Sequence, residues 1–286
     1  KISPGVDTNT VSHVLNPFSM SYFLAIPGII SPRRKFRMQL YFVRHAQSTN
    51  NARWESGEFT DNPRVSDPPL TVKGFMQSQL VAEELSKNNP DVKTHFLDQQ
   101  NRREYGITHV YCSLMERALQ TGSIIAQHLG VPITAIADCH EVGGIYLERL
   151  VGNEPVISME HGITAQYLQS TYPFVRLEKP IGDKGWWVGG KEDRDQVAIR
   201  ANRVIDFIRH RHGDTHDRVV IITHGGFFNY LFRALCRCET QLAPDHRFPY
   251  RFMYNNCGIS RFDMPDEMAQ FIYHNKTDFL PDDLIT

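Results

Sequence analysis

The stretch "LYFVRHAQSTNN", residues 40–51, decides the fold because an apolar segment runs directly into charged and small polar residues. Its first four residues predict a short buried β-strand, and Arg44 and His45 follow at the carboxyl end of that strand. The segment "VVIITHGG", residues 219–226, repeats this plan, with an apolar strand that ends at His224. Two strands that each deliver a histidine at the same end predict one site assembled from distant parts of the chain.

Strand and helix patterns alternate along the rest of the chain. Predicted strands lie at 40–43, 107–113, 131–136, 218–223, 251–262 and 269–274, and predicted helices lie at 72–85, 114–129, 192–212 and 227–235. This alternation predicts an α/β fold, a three-layer sandwich in which helices cover both faces of a mostly parallel central sheet. Ligands of such sheets bind beyond the carboxyl ends of the strands. Both strand-terminal histidines would project there.

Local patterns add detail to two of the helices. Thr71 is the predicted N-cap of the first helix, and Val72, Met76 and Leu80 recur at the spacing of a buried helical face. The polar segment before Thr71 predicts a loop. In the helix at 192–212, the apolar residues predict a buried face and several arginines are expected to point outward.

Domain organisation is predicted from shifts in pattern. Residues 1–37 are expected to be an N-terminal extension or leader, and residues 38–286 a single domain. Periodicity fades between about 142 and 191, where aromatic residues, glycines and prolines accumulate, so this interval is predicted to be an inserted cap. The apolar run at 21–30 is too short to span a bilayer and contains a proline. Organellar targeting by the extension stays open.

Charge and cysteine usage narrow the functional classes. The formal net charge of −1 argues against a nucleic-acid-binding protein. The five cysteines contain no CxxC pair and predict reduced thiols in a cytoplasmic protein. The 13 histidines are not spaced as clear ligand pairs, so no metal site and no cofactor are expected.

Arg117 is the next candidate functional residue. Ser113 and Glu116 fit a capping box, which predicts that Arg117 lies in the first turn of a helix. A cation there is disfavoured by the helix dipole. A bound anion would reverse that preference, because the free amide groups and the guanidinium would act on it together.

A family resemblance joins these separate motifs. The set Arg44-His45-Ala46, Ser113-x-x-x-Arg117-Ala118, His140-Glu141 and His224-Gly225 resembles the histidine phosphatase superfamily, in its phosphoglycerate-mutase-like branch. The likeness runs from about residue 38 to the C-terminus and is weak between 142 and 191. The family signature is Arg-His-Gly, and Ala46 stands here in place of that glycine.

The resemblance implies a role for each of these residues. His45 would be the nucleophile that forms a phosphohistidine intermediate, for which the imidazole must be neutral. Arg44, Arg117 and His224, together with Gly225 and Asn51, would bind the phosphate or the substrate. Glu141 would be the general acid and then the base that activates water. The expected partners are a small phosphomonoester and the product, inorganic phosphate. Asp138, Glu148 and Glu154 remain alternatives to Glu141.

Rival signatures fail on spacing. A cysteine phosphatase needs Cys-x5-Arg, but only four residues separate Cys112 from Arg117. The motif HExxH of zinc proteases would need a histidine where Gly144 stands. The "GWWVGGK" segment ends before Glu192, where a P-loop requires Ser or Thr.

Three functions remain open: a metal-independent phosphomonoester hydrolase, a cofactor-dependent phosphoglycerate mutase, and an idle phosphate-binding domain. The segments after the nucleophile and after the acid do not resemble those of the mutases, which favours hydrolysis. The substrate and the oligomeric state are not predicted. Tyr146, His161, Trp186 and Trp187 are candidates to line the cap, and the alternative for the two tryptophans is that they pack the cap against the domain.

Overall fold

The computed structural model describes residues 38–57, 64–93, 98–151, 154–237, 250–265 and 268–286. The predicted extension at 1–37 therefore lies outside the described residues. Within the described ranges, no helix is both long and apolar enough to cross a bilayer.

Nine strands and six α-helices make up the described part of the chain. The strands are β1 (Met38–Arg44), β2 (His109–Ser113), β3 (Ile133–Ile136), β4 (Tyr146–Val151), β5 (Glu154–Met159), β6 (Val175–Leu177), β7 (Arg218–Thr223), β8 (Ile259–Met264) and β9 (Gln270–Lys276). The helices are α1 (Thr49–Ser56), α2 (Val72–Leu85), α3 (Glu116–Leu129), α4 (Ala165–Thr171), α5 (Arg194–His212) and α6 (Gly225–Cys236).

Seven strands form the central sheet, in the order β6-β3-β2-β7-β1-β8-β9. The first five strands in this order run parallel to one another, and β8 and β9 add an antiparallel edge. The fold is therefore the predicted α/β fold with a mostly parallel sheet. β4 and β5 form a separate antiparallel hairpin. The interval predicted as a cap thus contains this hairpin and α4, and it returns to the sheet at β6.

The two faces of the sheet are covered by different helices, as side-chain alternation in β1 shows. Met38, Leu40 and Phe42 belong to an apolar cluster shared with α5 and α6. Tyr41 and Val43 point to the other face, where the cluster includes residues of α2 and α3. Successive side chains of a strand point to opposite faces. The sheet is therefore the middle of three layers, as predicted.

The buried face of α2 differs from the prediction, although its N-cap is confirmed. Thr71 Oγ1 accepts a hydrogen bond from the Gly74 N–H at 3.0 Å. Val72 and Met76, however, are exposed, whereas Gln77 is completely buried. The Gln77 amide donates to backbone and hydroxyl oxygens of the C-terminal segment, which satisfies its polar atoms. The prediction of the buried face from the spacing of apolar residues was therefore wrong, because the buried face of α2 is partly polar.

The segment after β1 contains α1, where the sequence predicted only a loop. Ser48 is its N-cap and forms a capping box with Asn51, and the helix ends at Gly57 with a φ of 71°. α1 is polar along most of its length, so it has no apolar periodicity that a prediction could detect.

Candidate active site

The two strand-terminal histidines lie side by side because β1 and β7 are neighbours in the sheet. Arg44 pairs with Thr223 in the parallel register, and the His45 N–H donates to the Thr223 carbonyl at 2.9 Å. The next residue, His224, has its ring centroid 5.1 Å from that of His45, at an angle of 55°. The repeated pattern of the sequence therefore becomes a pair of adjacent imidazoles.

The two ring nitrogens of His45 have different partners. Nδ1 lies 2.7 Å from the Ala46 carbonyl, to which it can only donate, and Nε2 accepts from Arg117 Nε at 3.1 Å. These partners select the tautomer with the proton on Nδ1 and the lone pair on Nε2. Burial lowers the pKa of His45 well below its ordinary value, and Arg117 and Arg44 lower it further. The imidazole is therefore neutral.

Arg117 is positioned by α3 and by Asp67. It is the second residue of the helix and is only 8% exposed. Its Nη1 lies 3.8 Å from Asp67 Oδ1, and the same oxygen accepts from the Glu116 N–H at 3.0 Å. Burial raises the pKa of Asp67 to about 6 despite the neighbouring Arg117. Asp67 therefore holds both the guanidinium and the start of α3.

The capping box predicted at Ser113 and Glu116 is wrong. The N-cap position of α3 is Met115, and Ser113 Oγ accepts from the Met115 N–H at 3.1 Å. The Glu116 carboxylate accepts instead from Tyr172 Oη at 2.6 Å. The chain is still extended at Met115, so Ser113 is too far from α3 to cap it.

Several buried polar atoms at the two strand ends have no hydrogen-bond partner among the described residues. They are Arg44 Nε and both ring nitrogens of His224. Arg44 Nη1, in contrast, donates to the Tyr254 carbonyl. Burial lowers the pKa of His224 well below its ordinary value, with contributions from Arg117 and His45. Buried polar groups are normally hydrogen-bonded, so this group of atoms is suited to a ligand with several acceptors.

The carboxylate of Glu141 lies at the N-terminus of α6, the helix that begins directly after His224. Its carboxylate accepts from the Gly226 N–H at 3.1 Å, the Phe227 N–H at 2.8 Å and the Val142 N–H at 2.8 Å. A Cβ atom at Gly226 would lie 2.5 Å from Glu141 Oε1. The approach of the carboxylate to the helix therefore depends on glycine at 226.

Gly225 and Asn51 have different surroundings. A Cβ atom at Gly225 would lie 3.6 Å from Arg44 Cδ, an ordinary contact distance. Asn51 Oδ1 accepts from the Ser48 N–H at 3.1 Å and from Ser48 Oγ at 2.9 Å. The Asn51 carbonyl oxygen is thus used to cap α1. Asn256, which lies 3.4 Å from it, donates to the His45 carbonyl at 2.7 Å.

The other carboxylates considered for the role of Glu141 are arranged differently. Asp138 is bound by both Arg203 Nε and Nη2, at 3.0 and 3.1 Å. Glu148 and Glu154 belong to the β4–β5 hairpin, and the side chain of Glu154 is exposed.

Arg200 of α5 is buried, whereas several other arginines of this helix point outward as predicted, since Arg194, Arg203 and Arg211 are exposed. Its guanidinium binds both oxygens of Glu192, at 2.8 and 2.7 Å. It also donates to the carbonyls of Asp138 and His140, at 2.7 and 2.8 Å. Arg200 therefore fixes the backbone immediately before Glu141. Neither Arg200 nor Asp67 nor Gly226 was predicted, because the partners of each are distant in sequence.

Trp186 and Trp187 pack against His140, the residue before Glu141. Their ring centroids lie 5.2 and 4.7 Å from that of His140. A separate cavity of about 790 Å³ lies beside Asp67 and Glu116. Residues of the interval 142–191 also line it, among them Ile145, His161 and Tyr167.

Comparisons with known proteins find similar sequences and similar folds. A probable phosphoglycerate mutase, GpmB, of Yersinia pestis is 25% identical over 79% of this chain and 85% of its own length. The structure of Bacillus stearothermophilus YhfR is 18% identical, with a TM-score of 0.51 over 85% of this chain and 98% of that chain. A phosphoserine phosphatase of Entamoeba histolytica, solved with 3-phosphoglyceric acid, is 17% identical, with a TM-score of 0.48 over 85% and 100% of the two chains.

The sequence model of the histidine phosphatase superfamily (branch 1) matches residues 97–277, which is more than half of the chain. The protein belongs to the histidine phosphatase superfamily, branch 1.

Proposed function

We propose that the protein is a metal-independent phosphomonoester hydrolase that acts through a phosphohistidine on His45. The observation that carries the proposal is the neutral imidazole of His45, whose Nε2 lone pair is held by Arg117 and lies beside His224. A buried, unprotonated nitrogen among cationic and unsatisfied polar groups is suited to attack on a phosphate dianion.

In the first step, Arg117 Nε–H passes its hydrogen bond from His45 Nε2 to a phosphate oxygen, and the freed Nε2 lone pair attacks phosphorus in line with the ester oxygen. The P–N bond forms as the P–O bond breaks, and Glu141 protonates the departing oxygen. Arg44, Arg117 and His224 stabilise the three non-bridging oxygens, whose charge is shared in the transition state. In the second step, Glu141 removes a proton from water, which attacks phosphorus and releases inorganic phosphate and free His45.

This mechanism makes a specific demand on Glu141. Its two oxygens accept hydrogen bonds from three backbone N–H groups. As general acid, Glu141 must carry a proton. It must also give up one of these backbone hydrogen bonds so that the protonated oxygen can donate to the leaving oxygen. The substrate is therefore expected to enter from the side of the α6 N-terminus.

The substrate class within the phosphomonoesters is proposed to be set by the cap at 142–191. The cavity of about 790 Å³ beside Asp67 is lined partly by this interval. Because Asp67 also binds Arg117, the cavity adjoins the proposed phosphate site. The proposed catalytic domain is residues 38–286.

The test is hydrolysis of a phosphomonoester panel in the presence of a chelator by wild type, His45→Ala and Glu141→Gln. His45→Ala is expected to lose at least about 10³-fold in kcat because it lacks the nucleophile. Glu141→Gln should lose about 10²–10⁴-fold because it lacks the general acid. His128→Ala, which changes an exposed histidine at the end of α3, serves as the matched control. Full activity in His45→Ala, or activity abolished by the chelator, would contradict the proposal.

Phosphoglycerate mutase is the second candidate, supported by the 25% identity to the probable mutase GpmB. Incubation with 3-phosphoglycerate and 2,3-bisphosphoglycerate distinguishes the two. A hydrolase releases inorganic phosphate, whereas a mutase produces 2-phosphoglycerate without net release. If no substrate of the panel turns over although phosphate binds, the protein is an idle binding domain.

A further inference from the structure

A second cluster of ionisable side chains lies at the edge of the sheet opposite His45. His109 is the first residue of β2, and Asp217 directly precedes β7, so both lie where these neighbouring parallel strands begin. His212 is the last residue of α5, the helix that leads into β7. His45 follows the end of β1, so the full length of the parallel strands separates this cluster from His45.

The three side chains are in close contact. His212 Nδ1 lies 2.7 Å from Asp217 Oδ2, and His109 Nδ1 lies 3.9 Å from the same oxygen. One nitrogen or oxygen atom from each residue lies within 4.8 Å of the others. The His212 side chain is only 2% exposed, but those of His109 and Asp217 are 38% and 26% exposed. An ion can therefore reach the cluster from solvent.

We propose that His109, His212 and Asp217 form a binding site for a divalent transition-metal ion, with Zn²⁺ as the best match. Two imidazoles and one carboxylate suit Zn²⁺, whereas Mg²⁺ and Ca²⁺ prefer oxygen ligands alone. Ligand atoms of a tetrahedral zinc site are roughly 3.3 Å apart, so the observed spacing requires shifts of about 1 Å. The fourth position is open to water.

A neighbouring side chain supports the orientation of His212. Tyr111 Oη lies 2.9 Å from His212 Nε2. Without metal, Nδ1–H donates to Asp217 and Nε2 accepts from Tyr111. With metal, the proton of His212 resides on Nε2 and donates to Tyr111, and the Nδ1 lone pair binds the ion. Such outer hydrogen bonds typically orient histidine ligands.

Two arginines, Arg211 and Arg218, lie next to members of the cluster in the sequence. Arg211 is exposed and contributes positive charge near His212, which weakens cation binding, although solvent screens it. The guanidinium of Arg218 is used elsewhere, since Nη1 donates to Glu104 at 3.2 Å and to the Tyr105 carbonyl at 3.0 Å. The carboxylate of Asp217 is thus the nearest charge to an ion at this position.

The ion would connect the starts of β2 and β7 to the end of α5. Binding to the native state alone stabilises it by mass action, so Zn²⁺ should raise the melting temperature. Since the cluster lies at the far edge of the sheet, hydrolysis of phosphomonoesters is expected to persist without the ion.

The test is titration of the chelator-treated protein with ZnCl₂ by calorimetry, followed by Co²⁺ absorption spectroscopy. Wild type is expected to bind one Zn²⁺ per chain, whereas His109→Ala and Asp217→Asn should bind at least about tenfold more weakly, since each loses a ligand. His128→Ala is the matched control and should bind like wild type.

Thermal unfolding with and without Zn²⁺ provides a second measurement. The melting temperature should rise for wild type and for His128→Ala but not for His109→Ala. The histidine at 109 is partly exposed, so its replacement is expected to leave the fold intact. Absence of saturable binding by wild type, or binding by His109→Ala equal to that of wild type, would overturn the proposal.

Discussion

His45 is held in one tautomer by two neighbours of opposite hydrogen-bonding character. The Ala46 carbonyl can only accept a hydrogen bond, and the Arg117 guanidinium can only donate one. The nitrogen that would attack phosphorus is therefore unprotonated and oriented before any substrate binds. In the proposed mechanism, Arg117 passes this hydrogen bond to a phosphate oxygen when the substrate binds, so the same side chain would serve both purposes in turn.

Gly226→Ala tests how closely Glu141 must approach α6. The added Cβ would lie 2.5 Å from Glu141 Oε1, so the carboxylate must move away. Because a displacement of about 1 Å at a catalytic group can cost 10²-fold, we expect kcat to fall roughly 10–100-fold. The inhibition constant of vanadate should change little, because the phosphate-binding residues stay in place. Steady-state kinetics measure both.

Gly190→Ala is the control for this substitution, since a Cβ atom there meets no atom within 4 Å. It should leave kcat unchanged. Wild-type kcat in Gly226→Ala would contradict the proposed role of Glu141, provided that the variant is folded by circular dichroism.

Among the elements, α5 supports the loop that carries Glu141. Arg200 binds the Glu192 carboxylate and the carbonyls on either side of Cys139, so it joins the start of α5 to the end of the segment after β3. His140 Nε2 also lies 3.3 Å from Glu192 Oε2. Glu192 has its pKa lowered to about 2, since its contacts with His140 and Arg200 outweigh the effect of burial. The ion pair is thus part of the framework of the site.

Arg200→Lys is expected to destabilise the protein by about 3–5 kcal/mol, because lysine cannot bind Glu192 at two points and both backbone carbonyls. Chemical denaturation measures this loss. We also expect a lower kcat with a nearly unchanged KM, since Glu141 would lose its support.

Arg203→Lys is the matched control on the same helix. Arg203 is 54% exposed and pairs with Asp138 at the surface, so the cost should be within about 1 kcal/mol. Equal effects of the two substitutions would contradict the role assigned to Arg200.

Helix faces were predicted best where they are apolar. In α5, Val197, Ala201, Val204 and Ile208 are buried as predicted. In α2 the buried face includes Gln77, whose amide donates to the Leu284 carbonyl of the C-terminal segment, and Ser78, whose hydroxyl donates to the Gly74 carbonyl in the same helix. Periodicity of apolar residues does not report such polar contacts.

Across the whole molecule, burial keeps several histidines neutral. Among the described residues, five histidines have a pKa lowered by burial, namely His45, His140, His212, His224 and His274. In the unfolded chain each titrates near the ordinary value of about 6.5. Below that pH the unfolded state binds more protons than the native state, so stability is lost as the pH falls through 6.5.

We therefore expect the free energy of unfolding to decrease between pH 7.5 and 5.5 in the presence of chelator. Each histidine contributes a slope of up to about 1.4 kcal/mol per pH unit. Asp67, whose pKa is raised to about 6, opposes this trend below pH 6, because its ionisation destabilises the native state. Urea unfolding at three pH values measures the net slope.

His224→Asn should flatten this dependence, since it removes one completely buried imidazole. His128→Ala, at an exposed position, should retain it. An identical slope in wild type and His224→Asn would show that burial of this histidine does not control acid stability.

The sequence by itself determined the layers of the fold and the position of the two histidines. Strand and helix periodicities show which side chains face the core, so they predict the layers. The carboxyl ends of parallel strands lie at the same edge of a sheet, so the sequence predicts that Arg44, His45 and His224 lie close together. Only the tertiary structure decided which partners these residues meet. Four contacts show this, and each joins positions at least 60 residues apart. They are the hydrogen bond of Arg117 to His45, the approach of Glu141 to the start of α6 at Gly226, the hydrogen bond of Arg200 to the His140 carbonyl, and the contact of His109 with Asp217. The spacing of residues along the sequence does not predict such contacts, because they depend on how the strands are ordered in the sheet.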